Sequence, residues 1–489
     1  MSDALLPLLV FLPLLGALVP FVLGDRAPRF GLGVWPLIVA AVTAAGAAAL
    51  AWTVAGPGEP LIHHLGGWRE PLGIRLRADG LAAVMIGLTA VVGAAVSVAA
   101  QPLYGPGKPG APHFHALWLL LWGSLNALFL SGDLFNLYVA LELVSLSAIP
   151  MVLLAGPGKT VQATLDYLHY ALFGSLIYLA GVALVYAATG TLDLALIADR
   201  LPEAGVAGGF AAACLVVGVL IKAAIVPFHA WLPEAHGGAP AVVSALLSAL
   251  VVKSCVYLLL RLWAEPLAGM QAPAAAQGLG ALGAAAILYG SVQALRQERL
   301  KMVVAYSTVA QLGYMLLFFP LAVLEAWQGA VYHGVAHGVA KAALFLAAGN
   351  ILLHVGHDRM RELRGVDRPL SVSLFAFAVA GVSIMGLPPS GGFIGKWLLL
   401  TASLETGQWW WALVLIVGGL LAAAYIFRVL GFAFLKAEGP GPTVEEPARA
   451  SPGRLLARVA LFLALLSLGL GFTAPPVFEL LGDPPGGGP

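Results

Sequence analysis

Apolar positions in this chain neither alternate as in strands nor form the one-sided stripes of soluble helices. They fall in about fourteen runs of roughly 20 residues with few charges. A run of that length crosses ~30 Å of hydrocarbon as a helix. The runs lie near Ala4–Leu23, Gly31–Val54, Gly80–Ala100, Phe114–Ser131, Phe135–Ala155, Thr164–Ala188 and Val206–Phe228, then Ala241–Trp263, Ala274–Leu295, Met302–Phe319, Trp327–Leu353, Leu370–Thr401, Trp409–Phe434 and Leu455–Thr473. Pro227 should break the seventh, and Pro388 and Pro389 with three nearby glycines the long twelfth, because proline removes a ladder donor and clashes with the preceding turn. The pattern predicts an all-α membrane protein.

Each broken span carries a lysine near its break, Lys222 and Lys396, with Trp231 and Trp397 close by. Taking helices 4–8 and 9–13 as units makes these two spans equivalent, and five crossings per unit place the copies in opposite topology. Inverted repeats with broken helices are a recurring plan of ion carriers. The chain therefore divides into N-terminal helices (1–112), a first five-helix repeat (113–263), a second, inverted repeat (274–434) and a C-terminal helix with its tail (455–489). The segments 56–79, 105–112 and 439–442 read as loops, and the tail 483–489 as disordered.

Composition agrees: 60% of residues are hydrophobic and 10% charged, against about 25% charged in soluble domains. A net charge of +1 points to no nucleic-acid partner. Cys214 and Cys255 stand alone, without the spacing of a metal site or disulfide framework. The first run lacks a basic leader and a small-residue cleavage site, so it reads as a retained span.

Basic residues set orientation, because they accumulate in cytoplasmic loops. The odd-numbered loops hold Arg26, Arg29, Lys108, Lys159, Arg296, Arg299, Lys301, Arg359, Arg361, Arg364, Arg368, Lys436, Arg449 and Arg454; the even loops hold Arg69, Arg75, Arg77 and Arg200. Both termini are therefore expected on the outer side of the cell membrane. Arg261, Arg428 and Arg458 lie within about two turns of a helix end and read as side chains that snorkel to the headgroups.

The remaining charges lie deep. An ionised side chain at the bilayer centre costs roughly 2.5–3.5 kcal/mol on insertion scales, so such residues need partners or water and default to a functional reading. Glu142 sits mid-span in FNLYVALELVSLS; a structural ion pair is its bland alternative. Lys222 precedes Pro227 by five residues, beside backbone that is tolerated at depth only inside protein or along a watery cavity. Lys253 is about ten residues from either end of its span, beyond easy snorkelling. His333, His337 and Lys341 recur every four residues on one helix face and cover roughly 12 Å at 1.5 Å per residue. Two histidines at that spacing could hold a metal, but no Asp or Glu completes a ligand set within the span, and histidine's titration near neutral pH suits proton transfer. No metal or cofactor is expected.

Five segments carry a resemblance: SGDLFNLYVALELVSLS, KAAIVPFHAWLPEAHGGAPAVVSALLSALVVK, LKMVVAYSTVAQLGYMLL, HGVAHGVAKAALFLAAG and GLPPSGGFIGKW. They resemble the antiporter-like subunits shared by Mrp-type cation/proton antiporters, the membrane arm of complex I and energy-converting hydrogenases. The resemblance implies a proton-translocating subunit of a multisubunit membrane complex, with other membrane subunits as partners and protons, with Na+ or K+ in an antiporter, as cargo. It implies a mid-membrane axis of protonatable residues. Glu142 matches the fifth-helix glutamate, Lys222 its paired lysine, Lys253 the central lysine, His333, His337 and Lys341 the polar face leading onward, and Lys396 the twelfth-helix lysine of D-, N- and L-type subunits. An end soon after the fourteenth span favours a D-type or N-type subunit. Two lone cysteines cannot ligate an iron–sulfur cluster, so no redox centre is expected in the chain itself.

The expected mechanism is a relay. Pairing with Glu142 favours charged Lys222; opening the pair releases the proton toward Lys253, the histidines, Lys341 and finally Lys396. The rival readings are a pumping subunit of complex I or a membrane hydrogenase, the proton module of an inorganic-carbon uptake complex, an organic-solute carrier, and a passive scaffold. The carrier would need one convergent pocket, and the scaffold leaves the deep lysines without purpose.

Overall fold

Without water to bond backbone amides, a chain in hydrocarbon must satisfy them internally, and these apolar runs do so as helices. The computed structural model describes residues 2–26, 34–55, 60–70, 73–156, 158–363, 370–434 and 452–483. Arg29, Arg364, Arg368, Lys436 and Arg449, the 439–442 loop and the tail beyond residue 483 lie outside them. Among the described residues thirteen helices are long and apolar enough to cross a membrane. The predicted twelfth span completes the set of fourteen as two shorter pieces, Ser371–Met385 and Gly391–Glu405. Its break has a local logic: Ser390 caps the second piece by accepting from the Phe393 amide at 3.2 Å, and the Ser383 hydroxyl accepts from Gly392 N at 3.2 Å.

The seventh span ends with Gly205–Lys222, and the chain resumes as a short helix at Trp231–Gly238. Between them Ala224 adopts a left-handed φ of 55°, a conformation in which a non-glycine residue is strained. The Trp indole places differ at the two breaks. Trp231 is buried and stacks on Tyr167 with centroids 4.1 Å apart, whereas Trp397 is half exposed.

The connection before the third span, read as a loop, contains a two-stranded antiparallel hairpin, Leu61–His64 with Arg75–Ala78, in register Leu61↔Ala78 to His64↔Arg75. It carries Arg75 and Arg77 to carboxylates: Arg75 Nη2 lies 2.9 Å from Asp193 and Arg77 Nη1 3.0 Å from Glu265. The hairpin thus ties the third-span entrance to the distal end of the eighth span.

Two expectations about basic residues are corrected by packing. Arg261, expected to snorkel, is 3% exposed; it pairs with Asp79 at 2.5 and 2.8 Å and with Glu265 at 2.6 Å. Burial pushes the Asp79 carboxyl up, but the Arg261 guanidinium, aided by Arg77 and the Ala82 amide, outweighs it and holds Asp79 well below the usual carboxylate range. Lys301, assigned to a loop, is buried at the start of Leu300–Leu316 and donates to Ala239 O at 2.5 Å. Arg428 donates to the Gln297 carbonyl at 2.8 Å and to that of Leu295, at the end of the ninth span, Pro273–Arg296.

The middle of the molecule is the eighth span, Ala241–Ala264, buried along its whole apolar window, with the tenth, Leu300–Leu316, and the eleventh, Leu324–Val355. The eleventh packs against the third, eighth, tenth, twelfth and fourteenth spans. Large apolar side chains such as Phe21, Trp52, Phe210 and Leu420 remain exposed on the outer helices, as lipid contact requires.

Candidate functional site

Glu142 projects from the fifth span, Leu134–Val152, and Lys222 from the end of the seventh. They meet: Lys222 Nζ lies 2.6 Å from Glu142 Oε1. Ser175 of the sixth span, Lys159–Thr189, completes a triad that the sequence reading missed. It accepts from Lys222 Nζ at 2.6 Å and donates to Glu142 Oε1. Lys222 is 5% exposed, and the Glu142 side chain keeps 20% of its surface. The approach depends on glycine. A Cβ on Gly218 would stand 2.7 Å from Gly174 O, and one on Gly174 2.9 Å from Lys222 Cγ, so only two hydrogens let spans six and seven close on the pair.

Lys253 is fully buried and donates to the Ser248 carbonyl. That carbonyl belongs to a π-helical turn, Leu247–Val251, in the middle of the eighth span. Such turns widen the hydrogen-bond spacing and recur at functional sites. The Ser248 hydroxyl bonds Thr308 Oγ1 at 2.8 Å, and Thr308 donates to Val304 O at 3.2 Å. Val304 O also accepts from Lys341 Nζ at 2.7 Å, and Lys341 donates to Ser307 Oγ as well. Spans eight, ten and eleven are thus joined by a continuous polar link from Lys253 to Lys341.

From Lys341 the eleventh helix leads to His337 and His333, whose rings stack 5.9 Å apart at 10°. Both are buried; neither ring nitrogen of His337 has a protein partner among the described residues, and His333 approaches the Gln311 backbone. Buried polar groups are almost always bonded, so these rings keep hydrogen-bonding capacity for water or for a proton in transit. The facing tenth span presents Ser307, Gln311 and Tyr314, a second polar stripe at i, i+4, i+7. Gln311 is buried, with its side chain beside Tyr425. The Tyr314 ring lies 5.2 Å from His333 and 4.3 Å beneath Lys396 Nζ.

Lys396 closes the row. Its Nζ donates to Ile384 O at 2.7 Å, with Met385 O at 3.4 Å. These are terminal carbonyls of the first half-helix, which have no intrahelical donor and form the negative end of its dipole. A Cβ on Gly395 would stand 2.8 Å from His333 N, Cα and Cβ, so glycine sets the closeness of the eleventh and twelfth spans here. Trp397, half exposed, takes no part in the row.

All seven predicted site residues therefore lie within the bundle, in two groups: Glu142 with Lys222, and Lys253 onward to Lys396. Between Lys222 and Lys253 no direct polar contact bridges the groups among the described residues. The tenth-span stripe was legible in LKMVVAYSTVAQLGYMLL, since its spacing of four and three marks one face. Ser175 offered no such signal, being one hydroxyl in an apolar run.

Comparison with known proteins agrees with this architecture. Residues 131–422 match the family described as NADH:quinone oxidoreductase/Mrp antiporter, TM. The N subunit of the NADH-quinone oxidoreductase of Desulforudis audaxviator is 37% identical over 96% of this chain and 95% of its own length. The D subunit of the Na(+)/H(+) antiporter of Alkalihalophilus pseudofirmus is 30% identical over 85% and 83%. Among solved structures, a chain of the Mrp complex from Dietzia sp. superposes with a TM-score of 0.89 at 27% identity over 98% of this chain and 96% of that one. A chain of an archaeal membrane-bound sulfane sulfur reductase gives 0.85 at 26% over 97% of each, and one of respiratory complex I from Thermus thermophilus 0.75 at 25% over 98% and 100%. These neighbours are subunits of multisubunit membrane complexes. On the family match across most of its spans and the relative 37% identical over nearly its full length, the chain belongs to the NADH:quinone oxidoreductase/Mrp antiporter family of membrane subunits.

Proposed function

We propose that this chain translocates protons within a multisubunit complex of the cell membrane, as the D-type subunit of an Mrp-type cation/proton antiporter. The observation that carries the reading is the row of buried lysines and histidines drawn from four spans, headed by a lysine–carboxylate pair. The name of the A. pseudofirmus relative and the higher TM-score to the Mrp complex favour the antiporter.

In this reading Lys222 holds its proton while Glu142 and Ser175 pair with it. Loss of that pairing frees the proton for Lys253, and the Ser248–Thr308–Val304 link carries the electrostatic change to Lys341. His337 and His333 pass the proton on to Lys396, which exchanges it with the other side. Charges held in poorly screened surroundings repel strongly, so each transfer biases the next. The two broken spans support an inverted repeat of helices 4–8 and 9–13, and the loop charges support both termini outside. Alanine at Lys222 or Glu142 in the reconstituted complex should abolish proton-coupled transport in vesicles; normal coupling would exclude the relay.

The second reading, a pumping subunit of a complex I-like or hydrogenase-like redox complex, is favoured by the 37% identity to an N subunit. Both readings use the same proton row. The chains that co-purify in mild detergent separate them: subunits with iron–sulfur motifs support the redox complex, small hydrophobic subunits without them the antiporter.

A further inference from the structure

Two cavities meet at Arg458, on the fourteenth span, Pro452–Gly469, and neither belongs to the proton row. The first is an apolar groove of about 610 Å³ between the second span, Trp35–Val54, the third, Gly80–Ala99, and the fourteenth. Its walls are small and aliphatic residues, among them Ala47, Ala51, Gly87, Ala94 and Val459, with the Phe462 ring. The second, of about 290 Å³, is polar, lined by Asn350 and His354 of the eleventh span, Ser373 of the twelfth, Arg454 and Arg458. Volumes of several hundred Å³ are those of ordinary small-molecule sites.

The lining chemistry changes from hydrocarbon to cation within one ligand's length. Arg458 is exposed and borders both cavities. Asn350 is 2% exposed; its amide nitrogen donates to Ser373 Oγ at 2.7 Å, while its Oδ1 is buried without a partner among the described residues. A Cβ on Gly453 would stand 2.5 Å from that Oδ1 and 2.6 Å from His354 Nε2, so both atoms pack against Gly453, which with Asn350 and His354 lines the polar cavity. A snorkelling arginine needs neither a polar cavity beside it nor a groove below it. A guanidinium suits a phosphodiester, and a buried amide oxygen suits a headgroup hydroxyl or ammonium. Basic pockets between membrane helices on the cytoplasmic side are a known form of anionic-lipid recognition.

We propose that spans two, three, eleven and fourteen form a binding site for one anionic phospholipid, its phosphate on Arg458 and Arg454, its headgroup donor on Asn350, and an acyl chain in the Ala/Gly groove. The site clamps the lysine-bearing eleventh span to the fourteenth through lipid as well as protein. It does not depend on which complex the chain serves.

The test is native mass spectrometry of the full chain in mild detergent, titrated with phosphatidylglycerol and, separately, phosphatidylcholine. Wild type should retain one phosphatidylglycerol with clear preference over phosphatidylcholine. R458Q should weaken phosphatidylglycerol about fivefold, the effect of one basic residue at a membrane surface, and R458K should restore most of it. Gly87 has nothing within 4 Å of an added Cβ, so G87L should fill the groove without disturbing the helices and reduce binding of both lipids. Equal retention of both lipids by wild type, or wild-type binding by R458Q and G87L, would overturn the proposal. So would a protein helix or a quinone found in the groove in place of lipid.

Discussion

Lys222 and Lys253 are both buried, yet their partners differ in kind. Lys222 has a carboxylate at 2.6 Å. Lys253 has the neutral Ser248 carbonyl, Lys341 a carbonyl and a hydroxyl, and Lys396 two carbonyls over an aromatic face. Among the described residues, the one full counter-charge in the row thus stands at the Lys222 end, where a change of pairing can start a transfer. Glu142→Gln should stop proton uptake while Glu142→Asp retains part of it; the same Gln variant should lose about 3 kcal/mol of stability in detergent melts, as a buried pair losing one charge does. Outside the spans, Asp79 is held below its unfolded value by Arg261 despite burial. Its contribution is therefore full above about pH 4, the unfolded carboxylate value, and is lost as pH falls toward the lower folded value. Asp79→Asn should flatten that acid limb of a Tm-against-pH curve; an unchanged limb would assign acid sensitivity elsewhere. These charges were legible as isolated polar letters in apolar runs, but their surroundings were not. Arg261 and Lys301 were misplaced because distance from a helix end along the chain says nothing of which helices pack over it.

At the scale of elements, irregular backbone does most of the positioning. The seventh-span break follows directly on Lys222, the π turn frees the Ser248 carbonyl for Lys253, and the twelfth-span break presents the Ile384 carbonyl to Lys396. Pro227, Pro388 and Pro389 announced two of these in the sequence. The π turn lies in SALLSALVV, which holds no proline or glycine, so it arises from tertiary packing and left no local mark. Glycine contacts carry the rest. Gly218→Leu would drive a side chain into Gly174 O and Tyr178, where a Cβ alone stands 2.7 Å from backbone atoms. Overpacking of this kind costs about 1–3 kcal/mol, and here it also separates Ser175 from Lys222. The variant should fold with a lowered Tm and fail in proton uptake; uptake at the wild-type rate would show that the triad's closeness is incidental.

For the whole molecule, fourteen crossings were readable from run lengths because every unpaired amide in hydrocarbon is expensive, and the proposed topology follows from loop charge alone. Trp68, in the 60–70 segment, and Arg361, beyond the eleventh span, are both well exposed and fall on opposite sides in that topology. In intact cells an impermeant maleimide should label a Trp68→Cys variant and leave an Arg361→Cys variant unlabelled; the reverse pattern would invert the orientation. Which helices share a polar track could not be read from one chain, since it depends on side chains from spans eight, ten and eleven meeting across the bundle centre. Lys253 stands at the start of that track, fully buried and linked to Lys341 through Ser248 and Thr308. The decisive measurement is proton uptake into proteoliposomes containing the intact complex with Lys253→Met, a change that keeps an unbranched apolar stem and removes the titrating group with its hydrogen bond to Ser248. The proposed relay predicts a fall of roughly 100-fold or more, as for loss of a proton-transfer group, with the complex still assembled; uptake at the wild-type rate would contradict it.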